Sequence, residues 1–245
     1  MKQLRSPGAR DMGTARAAPT SPEPFPVPKM LAAAGIVGPL LFMVGVLVQG
    51  VVRTDFRNGY NPLAQTISEL TAGPFGWVQQ VNFVVFGLLL IALAVGLHQG
   101  MRKARLSWLG PALVAWNGVE LVIAGLFPLQ EDATGRIFDP LGVHNTNGKI
   151  FFIGIGIVLV VVSWQFARDE RWRSLAAYTL VSGIAVLGMG VLNRLLAVGA
   201  QTPLHAWAGL DQRVIVTVWS LCLVVLALRL WRLARTGARR GDAHA

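Results

Sequence analysis

Residues Val78–Leu97 read VQQVNFVVFGLLLIALAVGL, twenty residues without a charge. The hydrocarbon core of a bilayer is about 30 Å thick, and an α-helix of about 20 apolar residues crosses it. In lipid every backbone amide needs a partner within the protein, so a crossing segment is a helix or a strand of a closed barrel. Barrel strands run about 10 residues and alternate in polarity. This stretch is twice as long and continuously apolar, so it reads as a helix. Five other stretches read the same way: Met30–Val52, Trp108–Phe127, Ile150–Phe166, Leu175–Val198 and Val214–Trp231. The expected fold class is all-α, a six-transmembrane-helix bundle.

Composition agrees with a membrane solvent. Of 245 residues, 53% are hydrophobic and 14% charged, with a mean hydropathy of +0.53. Soluble domains carry about 25% charged residues. A disordered chain is excluded and a soluble enzyme disfavoured. The lone Cys222 excludes an internal disulfide framework and a cysteine-rich zinc site. Residues 1–28 read as a disordered cytoplasmic tail, with five prolines between Ala18 and Pro28. Residues 29–232 form the six-pass membrane domain, and 233–245 a basic cytoplasmic tail.

The net charge of +10 is first a topology signal. With the N-terminus placed inside, the tails and the loops after the second and fourth spans hold 16 of the 22 Lys and Arg residues. Lysine and arginine concentrate on the cytoplasmic side. The expectation is a multi-pass protein of the cell membrane with both termini cytoplasmic. Its partner is the lipid bilayer, with anionic lipid at the cytoplasmic tails as an additional contact. No basic-plus-aromatic module points to nucleic acid.

The outer side carries the informative sequence, in loop one (Arg53–Trp77), loop three (Pro128–Lys149) and the shorter loop five (Gly199–Asp211). In loop one Asn61 is a good N-cap and Pro62 a good first helical residue. Leu63, Ile67 and Leu70 repeat on one face, and Gly73-Pro74 ends the segment. This predicts a short amphipathic helix of two turns in the first outer loop. Trp77, Trp108, Trp164, Trp172, Trp207 and Trp231 fall near span ends and read as an aromatic belt.

The run Asn61-Pro62-Leu63-Ala64-Gln65-Thr66-Ile67-Ser68-Glu69-Leu70 resembles a known signature. Gly76-Trp77, Asn82-Phe83, Gly87-Leu88-Leu89, Gly125-Leu126-Phe127-Pro128, the loop residue His144, Arg168-Asp169, Trp172-Arg173 and Gly209-Leu210-Asp211-Gln212-Arg213 extend it. Together these resemble the bacterial and archaeal integral membrane family catalogued as domain of unknown function 998, over roughly Gly35 to Arg229. The resemblance implies six passes and no assigned activity. Members of that family often carry an Asp soon after the Phe-Pro, whereas Leu129 and Gln130 follow here, with acids at Glu131 and Asp132.

Charged residues inside spans are costly and usually functional. Glu120 is expected in the outer half of the third span and Arg194 in that of the fifth. Asn117 shares a helical face with Glu120, and Asn193 precedes Arg194. One reading is a polar cluster at the bottom of an outward-facing cavity, holding an ion, a proton or a headgroup. The other is an ion pair joining two helices, with asparagines as interhelical glue. Ser68, Glu69, His144 and Arg213 complete the ligand-binding candidates Ser68, Glu69, Asn117, Glu120, His144, Arg194 and Arg213. Glu69 is expected to approach His144 or Arg213 if loop one folds over the bundle mouth. His144, His205 and the outer acids match no metal-ligand spacing, so neither metal nor cofactor is expected. Ser68 with His144 as base would suit a nucleophile, but no Gly-x-Ser-x-Gly elbow is present. Two functions stay open: a binding or transport module with a polar pocket open to the outer face, and a membrane-bound enzyme acting on a lipid or envelope substrate. An assembly partner without a ligand is a third.

Overall fold

The computed structural model describes residues 28–54, 59–198 and 206–241, with side chains for all of these except 193–198 and 237–241. Its six long helices are α1 (Lys29–Thr54), α2 (Gly76–Gly100), α3 (Leu109–Leu126), α4 (Val143–Phe166), α5 (Ala176–Val198) and α6 (Ala208–Gly241). Each contains a segment long and apolar enough to cross a membrane. The protein is a multi-pass, all-α helical bundle. The described parts of loops one and three and the first turn of α6 lie at one end, called here the loop-bearing end. The connections α2–α3 and α4–α5 form the short-loop end.

Consecutive helices pack on one another, and α6 returns to pack on α1, so the six close into a ring. Aromatic side chains fill its centre. The rings of Phe86 and Trp219 lie 5.4 Å apart, as do those of Phe151 and Trp219, and Phe42 stands 4.9 Å from Phe86. The tilted and edge-on arrangements suit the ring quadrupoles. Toward the short-loop end leucines pack the interior, with Leu93, Leu97, Leu159 and Leu230 at most 1% exposed. Large apolar residues also cover the outside, as on α1 at Leu40, Val44, Leu47 and Val51. A helix that is apolar all round suits a membrane span.

The seam between α2 and α3 is built on glycine. A Cβ added to Gly87 would stand 2.5 Å from the Gly118 carbonyl oxygen, and one added to Gly118 would stand 2.6 Å from that of Gly87. The two backbones therefore touch, which only small residues permit. This close seam fixes the height at which α3 carries Glu120.

At the short-loop end one acid ties the connections together. Asp169 is 5% exposed. Its carboxylate accepts the Arg102 amide at 2.7 Å and pairs with Arg171 at 3.1 Å. Burial pushes this carboxyl upward, but the bonds from Arg171 and the Arg102 amide outweigh it and hold the group below the usual carboxylate range. Trp172 is fully buried, stacked 4.6 Å from Phe166, and donates Nε1–H to the Gly100 carbonyl at 3.2 Å. It is a core residue and does not belong to the expected aromatic belt. Trp77, Trp108, Trp164 and Trp207 are exposed there as expected.

Boundaries differ at both ends of the bundle. Helix α4 begins at Val143, seven residues before the apolar run, because its first two turns are polar. Gly142 in the left-handed region and the Asp139 carboxylate, accepting the Asn145 amide at 2.8 Å, start it. Loop three otherwise holds a small hairpin, Gln130–Glu131 against Ile137–Phe138. Helix α6 continues past its apolar run into the basic tail as far as Gly241.

Candidate functional site

Loop one begins as expected and then departs. The Asn61 side chain accepts the Leu63 amide at 3.0 Å, and the Gln65 side chain reaches back to the Asn61 amide at 2.7 Å. One helical turn closes when the Gln65 amide meets the Asn61 carbonyl, also at 2.7 Å. The next two amides leave the ladder. Thr66 N–H goes to Glu69 Oε1 at 3.0 Å, and Ile67 N–H to Gln212 Oε1 on α6 at 2.6 Å. The chain restarts as a short 3-10 helix, Ser68–Thr71. The predicted two-turn helix is thus broken in the middle, because side-chain acceptors took its donors. Ile67 and Leu70 are buried, while Leu63 is 44% exposed, so the expected apolar face is only partly used.

What holds this loop over the bundle mouth is mainly Arg213, at the head of α6. Its Nη1 donates to the carbonyls of Pro62 at 2.7 Å, Gln65 at 2.8 Å and Gly209 at 2.9 Å, and its Nη2 to the Tyr60 hydroxyl. Leu210 N–H adds a bond to the Leu63 carbonyl at 2.9 Å. The loop lies so close that a Cβ on Gly209 would collide with the Gln65 carbonyl oxygen. From α1, Arg53 donates to the Leu70 carbonyl at 2.9 Å. Thr71 Oγ1 accepts the Leu129 amide at 3.1 Å and so joins loop one to loop three.

Glu69 is not where it was expected. It bonds within its own loop, to Thr66 and, at 3.1 Å, to Gln65 Nε2. The ion pair found among the described residues is Arg171–Asp169, so neither His144 nor Arg213 is a salt-bridge partner of Glu69. Arg213 is engaged with carbonyls.

Burial pushes the Tyr60 hydroxyl up to about 12 from its ordinary 10, against the pull of the Arg213 guanidinium. The unfolded chain therefore loses this proton first. Stability is fully present below pH 10 and declines as pH rises toward 12. Tyr60→Phe is expected to flatten that alkaline limb of the melting curve. A limb that survives the substitution would belong to another group.

Beneath the loop lies Glu120, 1% exposed. Its Oε2 accepts Asn117 Nδ2 at 2.8 Å, and its backbone carbonyl accepts Asn147 Nδ2 at 2.9 Å. Among the described residues its Oε1 is buried without a hydrogen-bond partner, as is Asn117 Oδ1. His144 stands in the first turn of α4, not in a loop, and is 4% exposed. Its Nδ1 lies 2.8 Å from the Phe127 carbonyl. A carbonyl only accepts, so Nδ1 carries the proton, and in the neutral ring Nε2 is an acceptor.

Two spaces meet at this point. A small cavity of about 30 Å³ is lined by Glu120, His144, Asn147, Ser68, Gln212 and aromatic rings that include Phe83, Phe151 and Trp219. An open cleft of about 680 Å³ runs between loop one, the loop-three hairpin, α4 and α5. Ser68, His144, Gly148, Phe152 and Gln212 line both and form the wall between them. Glu69, Asp139 and Lys149 line the cleft alone.

The structure thus gathers Ser68, His144 and Glu120 around one cavity, with Asn117 behind Glu120 and Glu69 on the cleft side. Arg213 serves as the clamp of the roof. The side chains of Arg194 and Asn193 lie outside the described residues, as does His205. Gln212, Asn147 and Gly148 were not singled out as site residues. Gln212 did stand beside Arg213 in the quoted signature, and Asn147 lies one helical turn after His144. A second buried amide pair also went unread: Gln49 Nε2 donates to Gln79 Oε1 at 2.8 Å between α1 and α2. Glutamine inside an apolar span was the available signal.

A family model described as protein of unknown function (DUF998) matches residues 36–229. That is most of the chain, which therefore belongs to this family. No curated protein and no solved structure matches it.

Proposed function

We propose that this member of the DUF998 family is a membrane binding module whose ligand enters the cleft at the loop-bearing end and reaches toward Glu120. The observation that carries this reading is the shared wall: five residues separate an open cleft of about 680 Å³ from a cavity bordered by a buried carboxylate. A volume of that size suits a small ligand. Its lining mixes Glu69, Asp139 and Lys149 with Ile137, Phe152, Ile153 and Val191, which suits an amphiphile. Binding is favoured over passage through the bundle, because the ring interior beyond Glu120 is filled by the aromatic and leucine side chains described above.

The test uses Gly148, where an added Cβ meets nothing within 4 Å. Gly148→Trp should fold, fill the wall and abolish retention of whatever molecule native mass spectrometry finds on the full-length parent. Equal retention by parent and variant would overturn the reading.

The loop-bearing end is placed outside and both termini in the cytoplasm, on the lysine and arginine distribution. Gly148→Cys is the check, since the native Cys222 is fully buried. A membrane-impermeant maleimide should label intact cells, and labelling that needs permeabilised cells would reverse the orientation. The basic residues at the short-loop end then face anionic headgroups. If so, nanodiscs containing anionic lipid should melt higher than neutral ones, and equal melting would remove that contact. The enzyme reading draws its support from Ser68 and His144 lining the same cleft. A fluorophosphonate adduct at Ser68 would favour it, and no adduct in the folded protein would count against it.

A further inference from the structure

We infer that the cavity beneath loop one is a site for a compact primary ammonium group, carried by a free alkylamine or by an ethanolamine headgroup, with Glu120 as its counter-ion. The inference rests on the binding-module reading and names the chemistry of its ligand.

Four observations converge. First, Glu120 lines the cavity, and its Oε1 is buried with no hydrogen-bond partner among the described residues. An unpaired buried carboxylate is costly, and a cation placed against it removes the cost. Second, among the described residues no lysine or arginine lines the cavity, and Glu120 is the one carboxylate there. His144 contributes an acceptor nitrogen, since its Nδ1–H is bound to the Phe127 carbonyl, and Ser68 contributes a hydroxyl that can accept. An ammonium group carries three donors and no acceptor, the complement of that set. Third, the cavity is small beside the cleft, about 30 Å³ against about 680 Å³, and a tetramethylammonium ion has no N–H to offer the acceptors that line it. Fourth, the remaining wall includes Phe83, Phe86, Phe151 and Trp219. Aromatic rings attract a cation through their negative faces. The rest of the ligand has room in the adjoining cleft, where Glu69 and Asp139 outnumber Lys149.

The test is made on the full-length protein in phosphatidylcholine nanodiscs, with melting followed by tryptophan fluorescence. Ethylammonium chloride, tetramethylammonium chloride and potassium chloride are compared at constant ionic strength. Ethylammonium should stabilise the parent saturably, and the other two should not. Glu120→Gln, which keeps the volume, should weaken that response by about tenfold or more, the size of one charge-assisted hydrogen bond. Gly148→Trp should abolish it. Repeating the titration in phosphatidylethanolamine nanodiscs separates the sources. A suppressed response, with phosphatidylethanolamine retained by the parent but not by Glu120→Gln in native mass spectrometry, assigns the headgroup. An unsuppressed response assigns a free amine. Equal stabilisation by tetramethylammonium or potassium, an unchanged response in Glu120→Gln, or no saturable response together with no retained phosphatidylethanolamine overturns the ammonium site. A different retained molecule that Gly148→Trp removes and Glu120→Gln leaves in place refutes the ammonium but spares the module. Retention untouched by Gly148→Trp refutes the module itself. If Glu120→Gln does not fold, the Gly148→Trp comparison and the tetramethylammonium control still decide.

Discussion

Replacing Arg213 with methionine is expected to release loop one from α6 and to lower stability by about 3 kcal/mol, the sum of several hydrogen bonds from a charged donor partly recovered by water. One guanidinium donates to the carbonyls of Pro62, Gln65 and Gly209 and to the Tyr60 hydroxyl. Methionine keeps much of the volume and supplies no donor. Arg213→Lys should recover little, because an ammonium on a single stem cannot present the planar fork that spans four acceptors. Hydrogen exchange separates this local effect from global loss. Amides of residues 60–72 should lose protection, while those of α3 and α4 keep theirs. The bond from Ile67 N–H to Gln212 should open with the rest, since it depends on the loop being seated. Unchanged protection in loop one would mean that Arg53 and Thr71 suffice to hold it.

Gly118→Val should be the most damaging single substitution at the α2–α3 seam. The added Cβ would lie 2.6 Å from the Gly87 carbonyl oxygen and 2.7 Å from Ile91 Cγ1. A side-chain tip can rotate away, but a carbonyl in a helix cannot, so the helices must separate. Overpacking costs about 1–3 kcal/mol where side chains can yield, and the upper end or beyond is expected against backbone. The damage reaches the site because Glu120 lies two residues further along the same helix. Size-exclusion of the fluorescently tagged protein should show loss of the folded peak, and Gly118→Ala should be milder. A Gly118→Val variant that melts with the parent would show that the seam can open without cost.

The six spans were legible because lipid imposes one requirement on every residue between its two faces, and a run such as Val78–Leu97 answers it locally. The pairing of Asn117 with Glu120 was legible for the same kind of reason, since a spacing of three residues on a helix fixes the neighbours. Loop one was legible only as far as its local chemistry extends. The cap at Asn61 and the turn that follows depend on residues within four positions. The break at Ile67 depends on Gln212, 145 residues away, and no periodicity carries that information. The polar turns of α4 look unlike a span, so the sequence alone assigns His144 to a loop, although a helix can begin in the headgroup region and finish in hydrocarbon. Trp172 shows the reverse error. Its position near a span end suggested an interfacial ring, but Phe166 and Gly100 give it a stacking partner and an acceptor inside the core.

Arg213 grips the roof mainly through the roof's main chain. Of its three contacts to loop one, two are carbonyl oxygens, which every amino acid possesses, and the third is the Tyr60 hydroxyl. The latch is therefore indifferent to much of what the roof is made of. Side chains at Thr66, Ser68 and Glu69, which face the cleft, can be exchanged without loosening these two backbone bonds. Backbone holds the roof in place, and side chains are left to choose what is kept beneath it. In such an arrangement a single fold can be retuned to new ligands one residue at a time, with the latch as the part that stays.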